Sequence, residues 1–419
     1  MIVCAATNNA GKLRELRRIL TRCGHTVKSL RELGVTLDPE ETGATFAENA
    51  ALKAAAFCRA TGLPTVADDS GLCVDALDGA PGVFSARYAG EHGNDDANNR
   101  KLLAALCRHP NAGAVLVLSL GCENLTHDQF VAELGEYDPN RVKFLTCQDV
   151  EDELTAGREI LKELAAYAGS FHREPIPASE LVVGMKCGGS DGLSGITANP
   201  TIGRFSDMLG ARGGSTVLTE VPEMFGAEGF LMDRCQNQQV FDKAVNMING
   251  FKNYFISHNE VVYDNPSPGN KQGGITTLED KSCGCVQKGG SAPIMDVIGY
   301  GDAVTTKGLN MLYGPGNDLV SATALTAAGA HMILFSTGRG TPFGAPAPTL
   351  KIATNSQLAA KKPTWIDFNA GVVADGEKTL DEAGADLYRL VLEVASGKKT
   401  RAEEKGFREI SIFKDGVVL

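Results

Sequence analysis

A short apolar run that empties into a glycine-broken polar loop recurs through most of this chain. Residues 114–120 lead into Gly121-Cys122-Glu123-Asn124, residues 181–185 into Lys186-Cys187-Gly188-Gly189-Ser190-Asp191, and residues 332–335 into Ser336-Thr337-Gly338-Arg339-Gly340. Residues 216–218 lead on to Glu220, Glu223 and Glu228, and residues 142–145 form another short run. Between such runs the apolar spacing becomes helical, as in residues 149–170 with Leu154, Ile160, Leu161 and Leu164. Alternating strands and helices predict an α/β fold of mainly parallel sheets with flanking helices, its loops gathered at one sheet edge.

At 419 residues and 43% hydrophobic, the chain can bury a large core and divide into two or three domains. The formal net charge of −11 argues against a nucleic-acid surface, so any anion site must be local. The eleven cysteines stand singly apart from Cys283-Gly284-Cys285, without zinc-finger spacing, which fits a reducing cytosol. The sequence shows neither a cleavable leader nor a run of about 18 apolar residues, so a soluble, cytoplasmic protein without membrane association is expected.

The first hundred residues carry a different pattern. Residues 2–6 read as a buried strand, Thr7-Asn8-Asn9-Ala10-Gly11-Lys12 as a turn, and residues 12–20 as a helix. A loop that opens a helix offers unpaired N–H groups and the positive end of the helix dipole to a polyphosphate. A capped strand-to-helix turn explains the same hexapeptide equally well. Downstream, a helix is expected over residues 45–61, and residues 64–67 read as a strand delivering Asp68 and Asp69 to a loop. Carboxylates placed there can hold Mg²⁺ and activate water.

With TNNAGK (7–12), EETGATFAENA (40–50), ADDSGLCVDAL (67–77) and GAPGVFSARYAGE (79–91), this region resembles the inosine/xanthosine triphosphate pyrophosphatase family. The resemblance implies that Thr7, Asn8, Asn9 and Lys12 contact a triphosphate, that Glu41 and Asp69 serve Mg²⁺, that Asp69 is also the base for water, and that Ser70 touches substrate. It is read as reaching about Leu106, and the family's later Gly-Phe-Gly-Tyr-Asp-Pro and Ser-His-Arg segments are missing.

Past that point, thiols, carboxylates, amides, a lysine turn and Arg339 occupy the loops. Arginine can clamp a carboxylate with two parallel hydrogen bonds, and Cys, Glu or Asp can bind a divalent ion. Taken singly each has a plain reading: Cys187 as a small buried hydrophobe, Gly188-Gly189 as a turn, residues 264–270 as a surface loop. Their number argues for convergence.

The strings AVLVLSLGCEN (114–124), SELVVGMKCGGSDGLSGITANPTIG (179–203), GGSTVLTEVPEMFGAE (213–228), NPSPGNKQGGITTLEDKSCG (265–284), FSTGRGTPFG (335–344), LKIATNS (350–356) and VASGKKTRAEEKG (394–406) resemble the altronate and galactarate dehydratase family. That resemblance implies loss of water from a sugar acid to give a 2-keto-3-deoxy acid, with Fe²⁺ or Mn²⁺ as cofactor. It directs the catalytic roles to Glu123, Cys187, Asp191, Lys281 and Arg339, substrate binding to Asn265 and Asn270, and metal binding to Cys122; Glu223 and Glu228 are further candidates. The segment that usually precedes the GCEN strand in this family is replaced by the pyrophosphatase-like piece.

The expected organisation is thus a partial pyrophosphatase-like domain over 1–106 and a dehydratase-like domain over 107–419. The leading function is a sugar-acid hydro-lyase acting on a small molecule. The alternatives are a Mg²⁺-dependent ITP/XTP pyrophosphatase and an inactive chimera, and a homo-oligomer is compatible with each.

Overall fold

The computed structural model describes residues 2–6, 13, 16–17, 20–21, 24–35, 37, 46–67 and 95–414. The chain divides into two compact units, 1–92 and 93–419. In the first, β1 (Ile2–Ala5) pairs in parallel with β2 (Thr26–Ser29) and β3 (Thr65–Val66), and the helix Phe46–Thr61 lies between β2 and β3 in the chain. Cys4, Ala6, Leu30 and Phe57 form its small core. The strand at residues 2–5 and the helix ending at Thr61 follow the sequence reading. Thr7, Asn8, Asn9, Lys12, Glu41, Asp69 and Ser70 lie outside the described residues.

The second unit opens with the helix Asp95–Arg108, whose Leu102 and Ala104 are fully buried. A two-stranded parallel sheet follows, β4 (Val115–Ser119) with β5 (Val142–Thr146), carrying the helices His127–Leu134 and Glu153–Ala168. Arg141 ties this sheet to the preceding turn by donating to the carbonyls of His109 and Ala112. His109 in turn contacts Ala330 O, and Asn111 donates to His331 O.

The body of the unit is a seven-stranded sheet in the order β12-β11-β10-β6-β7-β9-β8. Its members are β6 (Val182–Cys187), β7 (Ser215–Leu218), β8 (Ile294–Ile298), β9 (Gly308–Leu312), β10 (Met332–Thr337), β11 (Thr349–Ala353) and β12 (Phe368–Asn369), and every pairing is parallel. Residues of β7, β10 and β11 are buried throughout, as covered parallel strands are on both faces, and even Ser215, Thr216 and Lys351 lie inside. The helix Ala198–Gly210 packs closely on the far side of the site: a Cβ at Gly203 would sit 2.3 Å from Gln287 O. All strands share one direction, so the segments leaving β6, β7, β9, β10 and β11 emerge at one edge, where open α/β sheets bind ligands. Among the described residues no helix is long and apolar enough to cross a membrane.

Candidate active site

β6 runs two residues further than the apolar pattern alone indicates, so Lys186 and Cys187 are its last residues and both are buried. Immediately after them the chain must pass very close to its neighbours. A Cβ on Gly188 would lie 2.5 Å from Asp318 Oδ2 and 2.6 Å from Phe335 Cζ, and only glycine fits there.

From β7 the chain enters Glu220 in the left-handed region, with φ 68° and ψ 59°, before the 3₁₀ turn Val221–Met224. A non-glycine residue in this conformation costs on the order of 1–3 kcal/mol and persists where its surroundings hold it. Here they do. Glu220 Oε1 accepts from Lys186 Nζ at 2.9 Å, and Oε2 accepts from Cys187 N at 2.9 Å and lies 3.4 Å from Lys288 Nζ. Lys186 also donates to Asp318 Oδ1 at 2.7 Å and Ser321 Oγ at 3.0 Å, with Phe335 beneath its ammonium group at 4.8 Å.

Three residues apart, Glu223 completes a second layer. Its Oε2 accepts from Cys187 Sγ at 3.0 Å and Cys285 Sγ at 2.9 Å, and its Oε1 pairs with Lys281 Nζ at 2.8 Å. The two sulfurs are 3.5 Å apart, and Lys288 Nζ donates to Cys187 Sγ at 2.9 Å. Lys281, Cys285 and Lys288 recur at i, i+4 and i+7 along the helix Leu278–Val286 and the 3₁₀ turn that continues it, so one helical face supplies all three. Lys281 further donates to Asn265 Oδ1 at 3.0 Å and Asn270 Oδ1 at 3.1 Å.

Electrostatically the arrangement is balanced. Burial disfavours the charge on Lys186, but Glu220 and Asp318 outweigh it and raise the pKa above the ordinary lysine value. Lys281 is likewise raised against its burial, by Glu223. Burial pushes Glu220 up while the carboxyl of Glu223 is held well below the usual range, because Lys281 and Lys288 overcome its desolvation. The hydrogen bond to Cys187 and burial push the Cys285 thiol well up. Three lysines therefore face Glu220, Glu223 and Asp318, and the thiols stand outside that balance.

Cys187, Glu223 and Cys285 offer ligand atoms within 4.8 Å of one another, the one such group found among the described residues. Tetrahedral ligands at metal–sulfur distances near 2.3 Å and metal–oxygen distances near 2.1 Å lie roughly 3.6–3.8 Å apart, so the trio fits a divalent ion after a small expansion.

Above this floor opens a cleft of about 980 Å³. Cys187, Asn265, Asn270, Lys281 and Arg339, all expected from the sequence, line it together with Glu223 and Asp318. Arg339 is fixed at the rim by donating Nη1 to Gly269 O and Gln272 Oε1. Asn270 is set by the capping box of Ser267 and by its own donation to Ser190 O. Asp191 lies one wall away, lining a cavity of about 310 Å³ with Cys285. Its carboxylate takes hydrogen bonds from Ser194, Thr354 and Asn355, and it presses so closely on Gly338 that a Cβ there would be 2.2 Å from Asp191 Cγ. Asp191 thus braces three loops.

Cys122 and Glu123 do not line the cleft. Cys122 is exposed at the end of β4, and Glu123 closes its own loop by accepting from Leu120 N and Gly121 N. Glu228 pairs instead with Lys252 at 2.7 Å. Lys186, Glu220 and Cys285 were noted in the sequence without a site role, and Lys288 and Asp318 escaped the sequence reading. The i, i+4, i+7 spacing of Lys281, Cys285 and Lys288 was the available signal for two of them.

Residues 178–418 match the family described as D-galactarate/altronate dehydratase, C-terminal, and residues 3–134 match the Ham1 family. An altronate dehydratase of Escherichia coli (strain K12) is 55% identical over 345 residues, covering 82% of this chain and 70% of that protein. One of Bacillus subtilis (strain 168) is 55% identical over 327 residues, 78% of this chain and 66% of its own length. A dITP/XTP pyrophosphatase of Streptomyces avermitilis is 41% identical over 201 residues, 43% of this chain and 97% of that protein. The Ham1 match passes the expected end at Leu106. A stretch of 82% of the chain, wherever placed, includes the helix Asp95–Arg108, so both likenesses claim that helix. The chain spans about two thirds of the altronate dehydratases it matches. With its larger unit it belongs to the D-galactarate/altronate dehydratase family, and with its front to the Ham1 family.

Proposed function

We propose that the larger unit is a metal-dependent hydro-lyase that removes water from a sugar acid of the altronate or galactarate type, giving a 2-keto-3-deoxy acid. The observation that carries this reading is the donor trio Cys187, Glu223 and Cys285, of which Cys187 and Glu223 line a cleft that also holds Lys281 and Arg339. A hydrogen α to a carboxylate is weakly acidic, and its removal needs positive charge on the carboxylate side. A divalent ion held by the trio supplies that charge as a Lewis acid.

The remaining work falls to the chain itself. Arg339 clamps the substrate carboxylate from the rim. Lys281, kept protonated by Glu223, is a proton donor and so serves the departing hydroxyl rather than the α-hydrogen. Asn265 and Asn270 fix its ammonium group, and Asn265 offers its amide to a substrate hydroxyl. Two thiolates in the donor set favour Fe²⁺ over Mn²⁺. The setting is a cytoplasmic one.

The test is 2-keto acid formation from altronate and from galactarate with Fe²⁺ or Mn²⁺, before and after chelation. Product that appears only with metal is expected, and failure with both acids and both ions overturns the reading. A second reading is favoured by the pyrophosphatase relative that the chain spans over 97% of its length. It is Mg²⁺-dependent hydrolysis of ITP or XTP by the first unit, with Glu41 and Asp69 on the ion and Thr7, Asn8, Asn9, Lys12 and Ser70 on the substrate. Pyrophosphate release that is lost in Asp69→Asn supports it, and silence in both assays leaves an inactive chimera.

A further inference from the structure

We propose that Cys187 and Cys285 are a redox pair: a peroxide-class oxidant joins them in a reversible disulfide that closes the centre to a divalent ion. The inference rests on the metal-site reading above and adds its regulation.

The two sulfurs lie 3.5 Å apart and touch directly. A disulfide needs about 2.05 Å, so a movement of roughly 1.5 Å, shared between the end of β6 and the helix Leu278–Val286, brings them to bonding distance. Both residues are buried, yet each borders open space on its own side. Cys187 lines the large cleft, and Cys285 lines the smaller cavity behind the loop at residues 190–196. A small oxidant therefore has a path to either sulfur.

Lys288 places an ammonium group 2.9 Å from Cys187 Sγ, the cationic neighbour that makes a thiol reactive. Both thiols also donate to Glu223 Oε2, Cys187 at 3.0 Å and Cys285 at 2.9 Å. Attack of Cys187 on a hydroperoxide breaks the O–O bond, oxidises the sulfur to a sulfenic acid and releases water or an alcohol. Cys285 then attacks that sulfur, the S–S bond forms, and a second water leaves with the proton from Cys285. Exposed Cys122 has no second sulfur among the contacts described for it. The bond consumes two of the three metal donors, so oxidation and metal loading exclude each other.

The full chain, reduced and freed of metal with a chelator, is treated with a small excess of hydrogen peroxide and its peptides are mapped without reduction. The expected result is a Cys187–Cys285 linked pair lighter by two hydrogens, with Zn²⁺ affinity lowered by about tenfold or more and restored by dithiothreitol. Loading with Zn²⁺ before the oxidant should suppress the link. Recovery of Cys187 as sulfinate or sulfonate without a link overturns the proposal, as does a link that leaves Zn²⁺ binding unchanged. Dehydration by the reduced, Fe²⁺-loaded protein is measured alongside. An inactive protein that still links and loses Zn²⁺ sinks the functional reading alone, whereas an active protein that never links sinks the redox pair alone.

Discussion

The ends of β4 and β6 look alike as sequence and differ completely as structure. Each is an apolar run closing on a cysteine beside a glycine. The first delivers Cys122 and Glu123 to solvent, where Glu123 does no more than tie its own loop. The second delivers Lys186 and Cys187 into a fully buried ionic centre. The difference lies in what surrounds the strand. β4 has one neighbour in a two-stranded sheet, while β6 sits between β7 and β10 in the middle of seven. A strand end with partners on both sides and loops from four other strands above it becomes a site, and one without them becomes a surface loop.

The comparison can be broken most directly by one substitution in the cleft and one in the loop after β4. Lys281→Met should lower kcat for sugar-acid dehydration by roughly 10²–10⁴-fold, the usual contribution of a positioned proton donor, whereas Cys122→Ser should leave it near the parent value. Steady-state assays of the two variants decide, and an equal loss in both would erase the distinction. Next in size is stability. Lys186→Met removes the buried cation shared by Glu220 and the partly exposed Asp318 and leaves buried Glu220 with Lys288 alone, at a cost of roughly 3–5 kcal/mol in denaturant unfolding.

Lys351 sharpens the contrast from another side, because it is a buried lysine that donates to the carbonyls of Thr341 and Phe343 rather than to a carboxylate. Burial lowers its pKa to about 8. The unfolded chain therefore binds more protons than the folded one between about pH 8 and the ordinary lysine value near 10.4, and stability rises with pH across that window. The unfolding free energy of the parent relative to Lys351→Met should climb by about 3 kcal/mol or less from pH 7.5 to 10.5; a flat difference would show that the ammonium group is not strained. The smallest effect is expected for Glu123→Gln, which should loosen the loop at residues 120–124 in hydrogen exchange without changing dehydration.

Much of the architecture was legible beforehand. The runs at 114–120, 142–145, 181–185, 216–218 and 332–335 each became a parallel strand, the last three as central strands of the large sheet covered on both faces. β8 and β9 were not foreseen: β8 contains Asp296 and β9 contains Asn310, which interrupt the apolar signal. Within the site, Cys187, Asn265, Asn270, Lys281 and Arg339 were named from the sequence and meet in one cleft. Asp191 was named too, and its carboxylate is spent on bracing loops. Glu220 and Lys288 were passed over because isolated charged residues read as solvated, and nothing local announces that such a charge is buried.

By itself, then, the sequence determined the kind of sheet, the direction of its strands and the residue types at their ends, since periodicity and glycine placement act over a few residues. Only the tertiary structure decided which of those ends would share a cavity. It brought Lys186, Glu220, Glu223, Lys281, Cys285 and Lys288 together from three separate segments, and the charges among them can stay inside the protein only because each is answered by another from a different segment.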